Sequence, residues 1–289
     1  PTPGDPPRGA PVRPAGDVDR AIEMARRAQR EWWAMAPYER ERVLNRLGDL
    51  IVRDKRRLAQ IDSDNLGKTL AFTLTEVEFA AEAFHFAAGH PTRAHGQQIP
   101  IGDSGALCYT LLEPVGIVAA VTAWNSPLII AAAKLSGALA AGCSVIVKPA
   151  PEAPLSTIEL ARLVEEAGAP AGCVQVLTGG DETGAALTAH PGIGKASFRG
   201  SVETARTVLR TIAANGRPAV IEMGGKSPNI VFADAPNLQD PAEAAAGAIA
   251  FNQGEVCTAG SRLLVERSIK DKFLPLVIEA LKAWKPGNP

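Results

Sequence analysis

The residue with most scope for chemistry is Cys257, in the stretch FNQGEVCTAGSR that runs from Phe251 to Arg262. Its neighbours are small or polar: Gly254, Thr258, Ala259, Gly260 and Ser261. Bulky apolar neighbours would bury a thiol and keep it protonated. Small ones allow close backbone approach and the partial exposure that a nucleophilic thiolate needs. The same stretch also fits a small, inert, buried hydrophobe, which is how most free cysteines behave. A nucleophile needs an oxyanion donor and a base, so the question passes to the elements that could bring such partners to Cys257.

Those elements follow a doubly wound rhythm. Short apolar strands are predicted at 117–121, 144–147, 174–177, 195–198 and 220–222, separated by helices at 127–141, 156–167, 182–189 and 201–214. This is the pattern of an α/β fold with a Rossmann-like parallel sheet, in which ligands sit beyond the carboxyl ends of the strands. Polar residues fall at each of those ends. They are Thr122, Trp124 and Asn125, then Lys148, then Thr178 to Gly180, then Gly200 and Ser201, and finally Glu222. Upstream, Asp17 is a candidate N-cap, and helical spacing over 18–32, from Pro37, over 58–65 and over 73–88 predicts a helical layer. Trp32 and Trp33 are expected to pack against the core. Residues 1–16, rich in Pro and Gly, read as irregular, and 107–113 as a strand. Beyond Gly224 the pattern restarts with strand 229–232, helix 241–252, strand 263–266 and helix 269–284, the opening of a second α/β domain.

Bulk properties narrow the function. The 289 residues carry 30 basic and 31 acidic side chains, which argues for neither nucleic acid nor an anionic membrane as partner. The four cysteines (Cys108, Cys143, Cys173, Cys257) are far apart, so neither a disulfide scaffold nor a zinc site is expected, and a reducing cytoplasm fits. His85, His90 and His95 recur at a spacing that does not share a helix face, so no metal site is expected. The apolar span 127–147 is broken by Lys134, Ser136 and two glycines, unlike a membrane helix. No signal peptide opens the chain, and both ends read as cut.

Individually the strand-end residues leave two readings open. Asn125, before the turn at Pro127, is either an oxyanion donor or a turn asparagine. Lys148 either meets solvent or reaches a ribose or phosphate. Gly200-Ser201 opens a helix that could receive a phosphate, or is an ordinary N-cap. Glu222 is a general base at the end of a buried strand, its pKa raised by burial, or a salt-bridged structural acid. No G-x-G-x-x-G fingerprint is present; TGGDETG (Thr178–Gly184) has the wrong spacing.

Together, TAWNSPL, VIVKPAPEAPLS, SFRGS, IEMGGKSPNIVF and FNQGEVCTAGSR occur in the order and spacing by which the chain resembles the aldehyde dehydrogenase superfamily from about residue 15 to its end. The resemblance implies an NAD- or NADP-dependent oxidoreductase that converts an aldehyde to a carboxylic acid. In it Cys257 is the nucleophile that passes through a thiohemiacetal and a thioester. Asn125 and the Cys257 N–H are the oxyanion donors, and Glu222 activates water. It implies a cofactor groove formed by Thr122, Ala123, Trp124, Asn125, Lys148, Ala150, Pro151, Gly180, Gly200, Ser201, Met223 and Gly224. It also implies a cofactor domain (1–91 and 115–223), an oligomerisation arm (92–114), an incomplete catalytic domain (224–289) and a homodimer or homotetramer. The family's pattern has Pro at Ala123, Thr at Arg199 and often an acid at Pro151; the last difference predicts loose discrimination between NAD and NADP. Further family segments are expected past Pro289, so the chain by itself is expected to turn over little. A CoA-acylating member and a non-catalytic homologue that keeps the fold are the alternatives; the glutamate at 222 speaks against the first.

Overall fold

The structure, a computed structural model, describes residues 17–102 and 105–287. The Pro- and Gly-rich opening at 1–16 lies outside the described residues. Four helices come first: α1 (Asp17–Ala34), α2 (Pro37–Arg53), α3 (Lys55–Leu66) and α4 (Leu70–Ala88). Pro37 opens α2, where its missing N–H removes no helix bond.

A short antiparallel ribbon follows, β1 (Gln98–Ile99) with β2 (Cys108–Tyr109). The strand expected over 107–113 therefore shrinks to two residues. Leu107, Leu111 and Leu112 are all exposed, and an isolated ribbon without a buried face holds few ladder bonds.

Next come β3 (Ile117–Val121), α5 (Pro127–Ala140), β4 (Ser144–Lys148), α6 (Leu155–Ala167), β5 (Val174–Val176), α7 (Asp181–Ala189), β6 (Ile193–Gly200), α8 (Val202–Ala214) and β7 (Ala219–Met223). All five strands run parallel, in the order β5-β4-β3-β6-β7. The chain winds outward from β3, then crosses back to lay β6 on the other side. The crevice beyond the ends of β3 and β6 is the switch point of the sheet, where such folds bind ligands. The predicted α/β class and parallel sheet are the ones observed.

Side-chain alternation builds two cores. Ile117, Ala119 and Ile146 pack on Val18, Ile22 and Ala25 of α1. Val118, Ala120, Val145 and Val147 face α5 and α6, whose far side meets Leu44, Leu47 and Phe84 of the helical layer. Trp32 joins that layer, buried, and its Nε1 donates to the carbonyl of Leu139 at 2.8 Å. Trp33, expected in the core as well, is instead exposed, with the Arg40 guanidinium 4.7 Å from its ring centroid. It covers Gly142, where φ is +82° and a Cβ would lie 2.3 Å from the indole, so only glycine fits.

The last part has its own apolar cluster of Val231, Ala242, Ala245, Ile269, Phe273 and Val277. It consists of β8 (Pro228–Val231), α9 (Gln239–Ala250), a 3₁₀ turn (Phe251–Gly254), β9 (Arg262–Val265) and α10 (Lys270–Leu281), with β8 and β9 parallel. Helix α9 stops before the expected 252 because Asn252 and Gln253 take left-handed φ of 47° and 56°. Among the described residues no helix is long and apolar enough to cross a membrane.

Candidate active site

Three chain segments meet around Cys257. The first is the turn after β3. Pro127 begins α5, and the Asn125–Ser126 turn ahead of it is held from below by Lys68. The Lys68 Nζ donates to the Asn125 carbonyl at 2.8 Å and to Ser126 Oγ at 3.1 Å, and is ion-paired with buried Glu76. The Asn125 side chain points across to the cysteine loop, where its Nδ2 donates to the carbonyl of Glu255 at 2.7 Å.

The cysteine loop is the second segment. Its approach is fixed by the same stretch that carries Lys68. Gln253 Nε2 donates to the Gly67 carbonyl at 3.0 Å, and Phe251 meets Phe72 edge-on with ring centroids 4.4 Å apart. Cys257 itself is half-buried.

The third segment is the pair of strand ends β6 and β7. Register sets Arg199 opposite Glu222. The Arg199 Nη1 lies 3.1 Å from Glu222 Oε2, and its Nη2 donates to Cys257 Sγ at 2.9 Å. One guanidinium thus joins the thiol to the carboxylate. The burial expected of Glu222 is absent: β7 is an edge strand here, the Glu222 side chain is 53% exposed, and its partner is a cation. Beneath lies a cavity of about 360 Å³ lined by Lys134, Lys195, Ser197, Arg199 and Glu222 among others. Lys134 donates to Ser197 Oγ at 2.8 Å, and burial lowers its pKa to about 8, with Glu222 opposing and Arg199 adding to the shift.

The other candidate residues lie at or just beyond the strand ends. Lys148, the last residue of β4, is buried, and burial lowers its pKa against the pull of Asp181 and Glu152. It lines a cavity of about 400 Å³ with Asp181, Thr188, Thr204 and Thr207. Thr122 is buried, and its Oγ1 has no hydrogen-bond partner among the described residues. Ala150 is buried and Pro151 exposed, and the Glu152 carbonyl beside them accepts from Asn65 at 2.9 Å. Gly180 precedes α7. Ser201 caps α8 by accepting from the Thr204 N–H at 3.1 Å. Trp124 and Met223 are exposed, Ala123 is half-buried, and the Gly224 N–H donates to the Gly200 carbonyl at 3.2 Å.

Sequence reading passed over Lys68, Glu76 and Lys134 as partners in this region. Glu76 left a signal: it falls on the stripe of Thr73, Val77, Ala80 and Phe84, all buried, where an acid needs a partner. Lys134 likewise interrupts an apolar helix. Lys68 left none, since a lysine after a glycine reads as a solvated connector.

A doubly wound sheet with a cysteine loop, an asparagine turn and a strand-end glutamate gathered at its switch point narrows the class, and comparison with known proteins agrees. The chain belongs to the aldehyde dehydrogenase family, which it matches over residues 3–289. It is 42% identical over 278 residues to the NADP/NAD-dependent aldehyde dehydrogenase PuuC of Escherichia coli K12, covering 94% of this chain and 56% of that protein. It is 40% identical over 275 residues to (Z)-2-((N-methylformamido)methylene)-5-hydroxybutyrolactone dehydrogenase of Acinetobacter baylyi, with the same two coverages, 94% and 56%. An indole-3-acetaldehyde dehydrogenase solved with NAD+ superposes with a TM-score of 0.92 at 43% identity, over 96% of this chain and 57% of that one. The chain thus spans a little over half the length of the relatives it matches.

Proposed function

We propose that this chain carries the cofactor groove and the reacting cysteine of an NAD(P)-dependent aldehyde dehydrogenase that oxidises an aldehyde to a carboxylic acid. The observation that supports this reading is that the cysteine loop is tied on one side to the Asn125 turn, through the Glu255 carbonyl, and on the other to Glu222 of β7, through Arg199.

In this reading Cys257 Sγ forms a bond to the aldehyde carbon, and the carbonyl pair moves to oxygen. The Asn125 amide and the Cys257 N–H donate to that oxyanion; removing such a donor costs about two to three orders of magnitude in rate. A dinucleotide held in the groove would supply a hydride acceptor, and loss of hydride from the adduct carbon would leave a thioester on Cys257 Sγ. Glu222 takes a proton from water, the water oxygen bonds to the thioester carbon, and the carbon–sulfur bond breaks to release the acid.

The groove residues fit a dinucleotide. Thr122 Oγ1 is a buried hydroxyl without a hydrogen-bond partner among the described residues, and Lys148 stands buried at the wall of a cavity rich in threonine. Thr122, Ala123, Trp124, Lys148, Ala150, Pro151, Gly180, Gly200, Ser201, Met223 and Gly224 are its proposed lining. NAD+ and NADP+ both belong to the reading, as the names of the relatives suggest. Residues 1–91 and 115–223 are the proposed cofactor domain, 92–114 the arm, and 224–289 part of the catalytic domain. Exposed Leu107, Leu111 and Leu112 on that arm support a homodimer or homotetramer, and four free thiols suit the cytoplasm.

Thiol labelling tests the reading. Cys257 should react ahead of Cys108, and NAD+ or NADP+ should change its rate. Cys143 and Cys173 serve as inert references, since burial raises both pKa values, that of Cys173 to about 12. A Cys257 no faster than Cys108 and indifferent to both dinucleotides would favour the second reading, a binding protein that keeps the fold, which the Arg199–Glu222 ion pair also suits.

A further inference from the structure

Strand β6 presents two unlike faces. Ala196 and Phe198 pack against Ala205, Val208 and Ile212 of α8. The alternate residues, Lys195, Ser197 and Arg199, line a cavity that Glu222 also borders. Arg199 is the last of this row, and register places it beside Glu222 on β7 with both side chains leaving the same face of the sheet. A guanidinium is a planar fork with permanent charge, so holding one nitrogen orients the other. Glu222 holds Nη1, and Nη2 is thereby aimed at Cys257 Sγ, 2.9 Å away. The Arg199 side chain is 29% exposed, which leaves its charge incompletely screened by solvent.

We propose that Arg199 is a catalytic donor at Cys257, stabilising negative charge on the adduct and biasing the thiol toward electrophiles that carry or develop such charge. The inference rests on Cys257 being the nucleophile. When Sγ adds to an aldehyde, its electron pair forms the carbon–sulfur bond, the carbonyl pair passes to oxygen, and the thiol proton passes to solvent. That oxygen lies two bonds from the sulfur, so a donor already at hydrogen-bond distance from Sγ is within reach of it. A donor fixed before reaction needs no reorganisation when the charge appears. The Asn125 amide spends one N–H on the Glu255 carbonyl to hold the loop, so a second, fully charged donor changes the balance at this centre. Glu222 then has a task before hydrolysis: it aims Arg199.

The experiment compares alkylation of Cys257 by iodoacetate and by iodoacetamide, with Cys108 as internal reference and peptide mass mapping as readout. In each case the carbon–sulfur bond forms, the carbon–iodine bond breaks, iodide leaves and the thiol proton goes to buffer. A change in the amount of thiolate alters both rates alike, so their ratio reads the charge beside the sulfur. Arg199→Met should lower the iodoacetate-to-iodoacetamide ratio at Cys257 by about fivefold, Arg199→Lys by less, and neither should move the ratio at Cys108. Salt at about 1 M should lower the ratio of the unaltered protein in the same direction, which tests the charge without relying on a variant that folds. A ratio unmoved by both salt and Arg199→Met, with Cys257 still labelled rapidly, would overturn the role of Arg199 alone. A Cys257 labelled by neither reagent in the unaltered protein would remove the nucleophile itself, and the proposal with it.

Discussion

The ammonium of Lys68, with its side chain 1% exposed, donates to the backbone carbonyl of Asn125 at 2.8 Å. The turn that carries the proposed oxyanion donor is therefore held by a buried ammonium, which is ion-paired with Glu76. Breaking a buried ion pair leaves the surviving charge uncompensated. Glu76→Gln should cost roughly 3–5 kcal/mol, read as a lowered urea midpoint. Replacing both partners, Lys68→Met with Glu76→Leu, should recover most of that loss while leaving the Asn125 turn without its support. An unchanged midpoint for Glu76→Gln would mean that the pair does not hold the turn.

Asp62 belongs to the same buried region. Burial raises its pKa to about 6, and the nearby Glu76 carboxylate adds to the shift. Its Oδ1 has no hydrogen-bond partner among the described residues. A carboxyl whose folded pKa lies above the unfolded value of about 3.9 binds protons on folding. Its penalty is absent below about pH 4, grows between about 4 and 6, and is complete above. Asp62→Asn should thus stabilise the protein at pH 7.5, on the order of 2–3 kcal/mol, with the gain fading as pH falls to 4. Stability curves of the two proteins that stay parallel across this range would contradict the assignment.

Pro151 is exposed three residues after Lys148, and in the proposed cofactor groove a carboxylate at this position would repel a 2′-phosphate. Dissociation constants for NAD+ and NADP+ should therefore lie within about tenfold of each other, and Pro151→Glu should weaken NADP+ more than tenfold while sparing NAD+. Equilibrium titration decides this without turnover. A strong NAD+ preference in the unaltered chain would show that another residue, such as Glu152, rejects the phosphate.

Gly200 ends β6 at the crevice, and a Cβ added there would lie 2.7 Å from the Phe198 ring. Phe198 is itself packed in the core beneath α8 and has little room to give way. Gly200→Ala should cost about 1–3 kcal/mol in stability and, by shifting the start of α8, weaken dinucleotide binding as well. Binding at unchanged affinity would place the pyrophosphate away from this helix start.

Most of the sheet was legible from the amino acids because period and punctuation agree there. Ile117 to Val121 is a continuous apolar run closed by polar residues, and Gly168 stops α6 with a left-handed φ of 106°. The 107–113 segment misled because its alternation lacks a surface to pack on. At the site, motifs located Asn125, Glu222 and Cys257, but not what links them. Arg199 was visible as a misfit cation, and only register with Glu222 and the approach of the Cys257 loop disclose its two contacts. Glu222 was expected to be buried, a property that depends on what covers an edge strand and is not encoded in the strand itself.

The hydrogen bonds around Cys257 span long intervals of chain: 57 residues from Lys68 to Asn125, 130 from Asn125 to Glu255, and 186 from Gly67 to Gln253. Loops of that length close late, because their entropy must be overcome before the contacts they bring can form. During synthesis the asparagine turn and the arginine emerge long before their sulfur does. The reactivity proposed for this thiol would therefore be a property of the completed tertiary structure, and its labelling rate would gauge how much of the population has finished folding.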